Sequence, residues 1–342
     1  MSAHGVAIVG YGLAGRVFHG PLLNAEPRFE VRAVVTADSE RAALAASRHP
    51  AARIVPDLDA LLSDLEGISV AVVAAPTPDH ARIARRTVGA GLATVVDKPL
   101  AVRPDEAEAL IEEAETTGVP LTVFQNRRWD GDFLTVRALV ESGRLGEIWR
   151  FESRFEWISS RPRPAWKVGT SGTAGGGVAW DLGAHLIDQA VTLFGPVADI
   201  YGELDRHRSD GANDDDSFIA LTHASGVRSH LAMSSQVAQR GFRFRVLGSA
   251  AAYTKWGLDP QEGQLADGLS PSDPAYGLEP DDRHGLLGRD SETERVPTIR
   301  GDYPRFYSAL ADALDGVGPV PVDPREALTG IHLLAGLHSV RA

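Results

Sequence analysis

The spacing of apolar and polar positions changes character about one third of the way along the chain. Up to Phe124, short apolar runs (Val6–Val9, Val31–Thr36, Val70–Ala75, Thr94–Val96 and Leu121–Phe124) alternate with segments of helical period at Ser39–Ser47, Leu58–Ser63, His80–Gly89 and Pro104–Thr116. A run that is continuously apolar predicts a strand covered on both faces, and strand–helix alternation with short joins predicts a parallel, doubly wound sheet. Asp57 and Asp79 stand where helices begin, Gly91 and Gly118 where they stop. Beyond Phe124, Asp132–Ser142 has the period of a helix with one buried face. Strand-like segments then crowd together at Arg150–Trp157, Ala198–Leu204, Phe218–Thr222, Arg228–Ser234 and Phe242–Leu247. Only one strong helix, Trp180–Phe194, lies among them, which predicts a largely antiparallel sheet. Gly257–Thr298 reads as loop-rich, Gly175-Gly176-Gly177 as a flexible stretch, and the Asp214–Asp216 run as a solvated loop. Two helices, Tyr303–Leu314 and Pro324–Val340, close the chain. The division falls between residues 1–124 and 125–342.

Composition narrows the function. The 342 residues carry 34 Lys+Arg against 46 Asp+Glu, a formal net charge of −12, with no Lys/Arg cluster to oppose it. That balance repels phosphate backbones and anionic lipid, so neither nucleic acid nor membrane is expected as a partner. The longest apolar run, Ile68 to Pro76, is too short to cross a bilayer, and the N-terminus lacks the features of an export signal. Zero cysteines exclude disulfides, thiolate metal sites and Cys nucleophiles. A cytoplasmic protein acting on small molecules is the expectation.

Gly10-Tyr11-Gly12-Leu13-Ala14-Gly15 follows the first strand and opens a helix. Gly10 permits a tight turn, Gly12 lets backbone approach a pyrophosphate, Gly15 lets helix and strand pack, and the helix N-terminus offers N–H groups to the phosphates. After the second strand comes Thr36-Ala37-Asp38. Asp38 suits either a ribose carboxylate or the cap of the helix at Ser39; a carboxylate there repels the 2′-phosphate of NADP while Arg41 attracts it. Either nucleotide fits, with the balance toward NAD. Pro76-Thr77 and His80 end the next strand at the edge where ligands bind, the alternative being a proline-stopped loop with His80 on an exposed first turn. Asp97-Lys98-Pro99 ends the following strand on that edge, and Lys98 suits either stabilisation of a developing alkoxide or a surface turn. Asp181 and His185, four apart on a helix, share a face and can act as carboxylate and general base. A metal site of Asp181, His185 and Asp188 is the rival, disfavoured by the missing Cys and second His. Asn126-Arg127-Arg128-Trp129, with Trp166 further on, supplies forks and indoles for a polyol, or else an ion-pair cluster at the junction.

Together these motifs resemble the glucose–fructose oxidoreductase/inositol dehydrogenase/rhizopine-catabolism (Gfo/Idh/MocA) family across nearly the whole chain. Within it they are most similar to the scyllo-inositol dehydrogenase branch, through Val17-Phe18-His19-Gly20-Pro21-Leu22, Asn126–Asp130 with Asp132-Phe133-Leu134, and Asp181 through Gln189. The resemblance implies a Rossmann domain and an α/β domain whose open-faced sheet forms a homo-oligomer interface. It implies that Lys98, Asp181 and His185 match the catalytic residues, and that a hydride passes between a cyclic polyol or sugar and NAD or NADP. A glycosidase that retains NAD, or a sensor without chemistry, would share the fold. Two departures stand out: Asp97 replaces the usual Glu, and Ala37-Asp38 stands where NADP-using relatives of the branch resemble Ser-Arg.

Overall fold

In a computed structural model, which describes residues 3–158 and 165–340 apart from the side chains of residues 165 and 166, the apolar runs of the first third become one parallel sheet. Its strands are β1 (His4–Val9), β2 (Phe29–Val35), β3 (Arg53–Val55), β4 (Val70–Val73), β5 (Ala93–Asp97) and β6 (Leu121–Phe124). They are ordered β3-β2-β1-β4-β5-β6, every neighbouring pair parallel. Val6, Ala7 and Ile8 of β1 and all of β4 are wholly buried, as strands covered by helices on both faces must be. Strand order reverses beside β1, where Val9 registers with Val35 on one side and Val73 on the other. The loops leaving these ends therefore border the crevice in which doubly wound sheets bind ligands.

This sheet belongs to a compact unit comprising Met1–Asn126, Gln261–Tyr276 and Asp302–Ile331. Two late segments are built into it. The helix Pro304–Leu314 brings Tyr307 within 2.7 Å of His19 Nδ1 and Asp312 within 2.6 Å of Arg28. Arg325 forks onto Glu115 at 2.6 and 2.7 Å.

The second unit comprises Arg127–Pro260, Gly277–Gly301 and His332–Ala342. Its sheet contains β7 (Ile148–Glu156), β8 (Val197–Asp205), β9 (Asp216–His223), β10 (Arg228–Ser234), β11 (Phe244–Gly248), β12 (Ala252–Lys255), β13 (Gly285–Arg289) and β14 (Glu292–Val296). The order is β14-β13-β12-β11-β7-β10-β9-β8, antiparallel except where β7 meets β10. Leu221, Ser229, Phe151, Val246 and Tyr253 form one buried cross-strand row, and the helix Ala184–Phe194 packs over β7 and β10. On the other face Tyr201, Ala220, His230 and Glu152 align in a row that is less buried.

Three expectations need correction. Gly257–Thr298 is not simply loop: it contains the helix Gln261–Ala266 and strands β13 and β14. Glu292-Thr293-Glu294-Arg295 of β14 is exposed at the sheet edge, so no apolar period marks it, and such charge protects an edge from further pairing. The Asp214–Asp216 run is not a solvated loop, since Asp214 is 6% and Asp215 1% exposed. Nor is Gly175-Gly176-Gly177 slack chain: Gly176 and Gly177 are buried, and a Cβ on Gly177 would lie 1.8 Å from Asp214 Oδ1.

Candidate functional site

The turn after β1 is built from three glycines with different surroundings. Gly10 has φ +100°, and a Cβ there would lie 2.6 Å from the Ala74 carbonyl oxygen. A Cβ on Gly15 would lie 2.3 Å from the Gly10 carbonyl oxygen, so the helix Ala14–His19 can sit this close to the turn only without a side chain. Around Gly12, by contrast, a Cβ would meet nothing within 4 Å among the described residues. That is the geometry a dinucleotide needs, with two glycines shaping the turn and the middle one leaving backbone open to a pyrophosphate at a helix N-terminus. Leu13 is exposed and Ala14 partly so, whereas Tyr11 is buried with its hydroxyl 3.0 Å from His49 Nε2. Tyr11 thus anchors the turn by its side chain, and burial pushes its pKa up.

Thr36 leaves β2 beside this turn; its backbone N–H donates to Val55 O, and its Oγ1 accepts from Asp38 N at 3.3 Å. Asp38 Oδ1 accepts from Arg41 N at 2.9 Å, capping the helix Ser39–Arg48, and Oδ2 lies 3.9 Å from Arg41 Nε. The cap is therefore formed, on an exposed carboxylate at the edge of the same crevice.

Pro76 is exposed and Thr77 partly so, opening a short turn, Thr77–Asp79, after β4. His80 is not on an exposed turn. It is 1% exposed, with Nδ1 2.7 Å from Pro99 O and Nε2 2.8 Å from Ala75 O. The imidazole therefore ties the loop after β4 to the loop after β5, which carries Lys98. Asp97, partly buried at the end of β5, accepts from Lys98 N at 2.8 Å. The Lys98–Pro99 peptide is cis, and Leu100 and Ala101 beyond it are buried. His19, also fully buried in this unit, is held neutral: burial pushes its pKa down to about 4 against the pull of Asp97.

In the second unit Asp181 lies in the π-helical turn Ala179–Gly183 and His185 at the start of the α-helix that continues it. His185 is 5% exposed, its ring edge-on to Phe155 at 6.4 Å. Asp181 is half exposed and its Oδ2 accepts from Lys167 Nζ at 2.8 Å. Nothing in the sequence had singled out Lys167. Arg128, expected to contact a polyol, places its fork on Asp188 at 2.6 and 2.8 Å, the ion-pair alternative. Arg127 lies 3.5 Å from Asp130, with its guanidinium 4.9 Å over Phe155. Asn126, buried, ends the first unit, and Trp129 is partly buried in the second. Trp166 lies in the helix Ala165–Gly169, with its side chain outside the described residues. Among the described residues no cluster of His, Cys, Asp and Glu could hold a metal, and no helix is long and apolar enough to cross a membrane.

Comparison with known proteins shows the family. A family model described as an oxidoreductase family with an NAD-binding Rossmann fold matches residues 4–125, and one for the GFO/IDH/MocA C-terminal domain matches residues 133–254. The uncharacterised oxidoreductase YdgJ of Escherichia coli is 35% identical over 98% of this chain and 96% of its own. The scyllo-inositol 2-dehydrogenase (NADP(+)) IolW of Bacillus subtilis is 30% identical over 96% and 91%. D-apiose dehydrogenase of Paraburkholderia graminis is 32% identical over 58% and 52%. Among solved structures, yvaA of Bacillus subtilis, named as an oxidoreductase, superposes with a TM-score of 0.91 at 29% identity, covering 99% of this chain and 97% of its own. GenD2 of gentamicin A biosynthesis, solved in complex with NAD, gives 0.78 at 25% identity, covering 98% and 93%.

Proposed function

The chain belongs to the Gfo/Idh/MocA family of oxidoreductases, and from that membership we propose that it reversibly oxidises a secondary alcohol of a cyclic polyol or sugar. The observation that carries this reading is the pairing, on one edge of the parallel sheet, of an open Gly12 turn after β1 with Lys98 directly after β5. The relatives named for scyllo-inositol and D-apiose support the substrate class. Bound at the Gly10–Gly15 turn, a nicotinamide dinucleotide supplies the acceptor or donor of the hydride. The chain's own side chains do the rest. Lys98 donates a hydrogen bond to the reacting oxygen and favours its alkoxide character in the transition state. His185, an imidazole suited to proton transfer near neutral pH, takes the hydroxyl proton. Asp181, with one oxygen on Lys167, holds a neighbouring substrate hydroxyl. Arg127 and Trp129 border the substrate, while Arg128 fixes the helix beneath through Asp188.

The nucleotide we assign is NAD: the exposed carboxylate of Asp38 favours ribose hydroxyls over a 2′-phosphate, in contrast to the NADP(+) named for IolW. The protein is proposed to work in the cytoplasm as a homo-oligomer through the less buried face of the second sheet. The test is a panel of inositol stereoisomers and common sugars with NAD and NADP in parallel, following reduced nicotinamide by absorbance. Accumulation with a polyol or sugar, faster with NAD, is the expected result. Cleavage of a glycoside without net reduction of the nucleotide would replace this reading with a hydrolase, and binding without turnover would replace it with a sensor.

A further inference from the structure

The buried acidic run ahead of β9 is unexplained by the function assigned so far, and its contacts lead back to the helix that carries Asp181 and His185. Asp214 Oδ2 accepts from Ala179 N at 2.8 Å and from Ser217 Oγ at 2.8 Å, and Asp214 O accepts from Val178 N at 3.1 Å. One residue thus satisfies two consecutive amides where that helix begins, a position at which a carboxylate also meets the positive end of the helix dipole. Its neighbour Asn213 donates from Nδ2 to Lys167 O and to Thr170 O, each at 2.7 Å, and Ala212 N donates to Val168 O at 3.0 Å. These bonds fix the backbone of the segment from which Lys167 reaches Asp181 Oδ2 at 2.8 Å. The glycines opposite are shaped to admit both side chains. A Cβ on Gly177 would lie 1.8 Å from Asp214 Oδ1, and one on Gly176 would lie 2.0 Å from Thr170 O and 2.9 Å from Asn213 Nδ2.

We propose that Asn213 and Asp214 are positioning residues that set where Lys167 and Asp181 meet, which makes Lys167 part of the substrate site. The inference rests on the dehydrogenase reading for its link to catalysis, and its geometry stands without it. Asp214 places the first turn of the helix bearing Asp181 and His185; Asn213 places the segment bearing Lys167. Between them the pair's separation and direction are fixed from one short stretch of chain. The ammonium of Lys167, its side chain one third exposed beside Asp181, then adds a donor for substrate oxygens to the acceptor that Asp181 supplies.

Asp215 provides an internal control. It is as buried as Asp214, yet its carboxylate accepts from His207 N at 2.8 Å and Arg208 N at 2.9 Å, on a loop that carries none of the proposed site. The experiment compares Asp214→Ala, Asp214→Asn, Asn213→Ala, Lys167→Met and Asp215→Asn in the full chain, by steady-state kinetics on the substrate that the panel identifies and by amide hydrogen exchange. Asp214→Ala should lower kcat/KM by about 10- to 100-fold, the usual penalty for misplacing a reacting group by an ångström. It should also lose protection at Ala179, while Val178 N, bonded to the backbone carbonyl of residue 214, keeps more of its own. Asp214→Asn keeps an acceptor for Ala179 N and should recover most of both losses. Asn213→Ala and Lys167→Met should raise KM by about tenfold, one hydrogen bond to a charged group, with a smaller change in kcat. Asp215→Asn should destabilise the fold yet leave KM and the Val178–Ala179 protection as in the wild type. Equal kinetic losses in Asp214→Ala and Asp215→Asn, or unchanged protection at Ala179 in Asp214→Ala, would overturn the assignment. If the wild type turns over no polyol or sugar, the functional reading fails by itself, and hydrogen exchange still decides the positioning role.

Discussion

Gly10–Leu13 and Gly175–Val178 are both glycine-bearing turns that lead into a π-helical turn and then an α-helix, Ala14–His19 into Gly20–Ala25 in one unit and Ala179–Gly183 into Ala184–Phe194 in the other. Each contains a glycine with φ +100°, Gly10 and Gly177. They differ in what occupies the helix entrance. At the first, a Cβ on the middle glycine, Gly12, would touch nothing within 4 Å among the described residues, and no acidic residue lies in the first helical turn. At the second, the chain's own Asp214 caps the amides and its carboxylate fills the space a side chain on Gly177 would take. One turn is shaped for an anion from outside and the other already holds one from within. A glycine-rich entrance to a helix is therefore a statement about space, and only the neighbouring strands say who fills it.

Substituting the two turns should separate them. Gly177→Ala forces a side chain into a left-handed backbone and onto Asp214. The expected loss is about 2–5 kcal/mol in denaturant unfolding, summing the left-handed penalty and overpacking. Gly12→Ala should leave the unfolding midpoint within about 0.5 kcal/mol, as for a surface substitution, while weakening nucleotide binding at least about tenfold because the added methyl stands where the pyrophosphate approaches. Equal stability losses in the two variants would erase the contrast.

The first helix also carries a pH signature. His19 has a folded pKa of about 4 against an unfolded value of 6.5, so the unfolded chain takes up a proton first as pH falls. Stability from its neutral burial is full above about pH 6.5 and lost progressively down to about pH 4, roughly 3 kcal/mol in all. Burial pushes His49 and His223 the same way, so His19→Gln should flatten the decline between pH 7 and 4 without abolishing it. An unchanged slope in thermal or urea unfolding would remove His19 from the account. The smallest effect belongs to Asp38: Asp38→Ala removes the cap on Arg41 N and should cost about 1 kcal/mol, while raising the ratio of kcat/KM with NADP to that with NAD if the proposed ribose contact holds.

What the amino-acid pattern revealed follows from how local each signal is. Strands β1, β4 and β5 are legible because burial on both faces leaves them mostly apolar, and the Gly10–Gly15 turn because its chemistry is written in six consecutive positions. Lys98 and His185 are legible as chemical types at strand and helix ends. Asp38 is legible as a helix cap because that contact is only three residues away. Lys167, Asn213 and Asp214 are not, since the bonds that give them meaning span 14, 46 and 35 residues. The same reasoning covers His80, whose two carbonyl partners are 5 and 19 residues away, and which reads as an exposed turn residue until Pro99 is brought to it. Strand β14 is missed for the opposite reason: it is polar on both faces and only pairing with β13 makes it a strand.

The central claim is the proposed one, that Lys98 and His185 serve the same step, the oxidation of the substrate alcohol. Single-turnover rates of Lys98→Ala, His185→Ala and the double variant test it most directly. Each single change should cost about 10²–10³-fold, and the double variant should be little slower than the worse single one, because groups that act as one unit do not add. Losses that multiply in the double variant would show two independent residues and contradict the account.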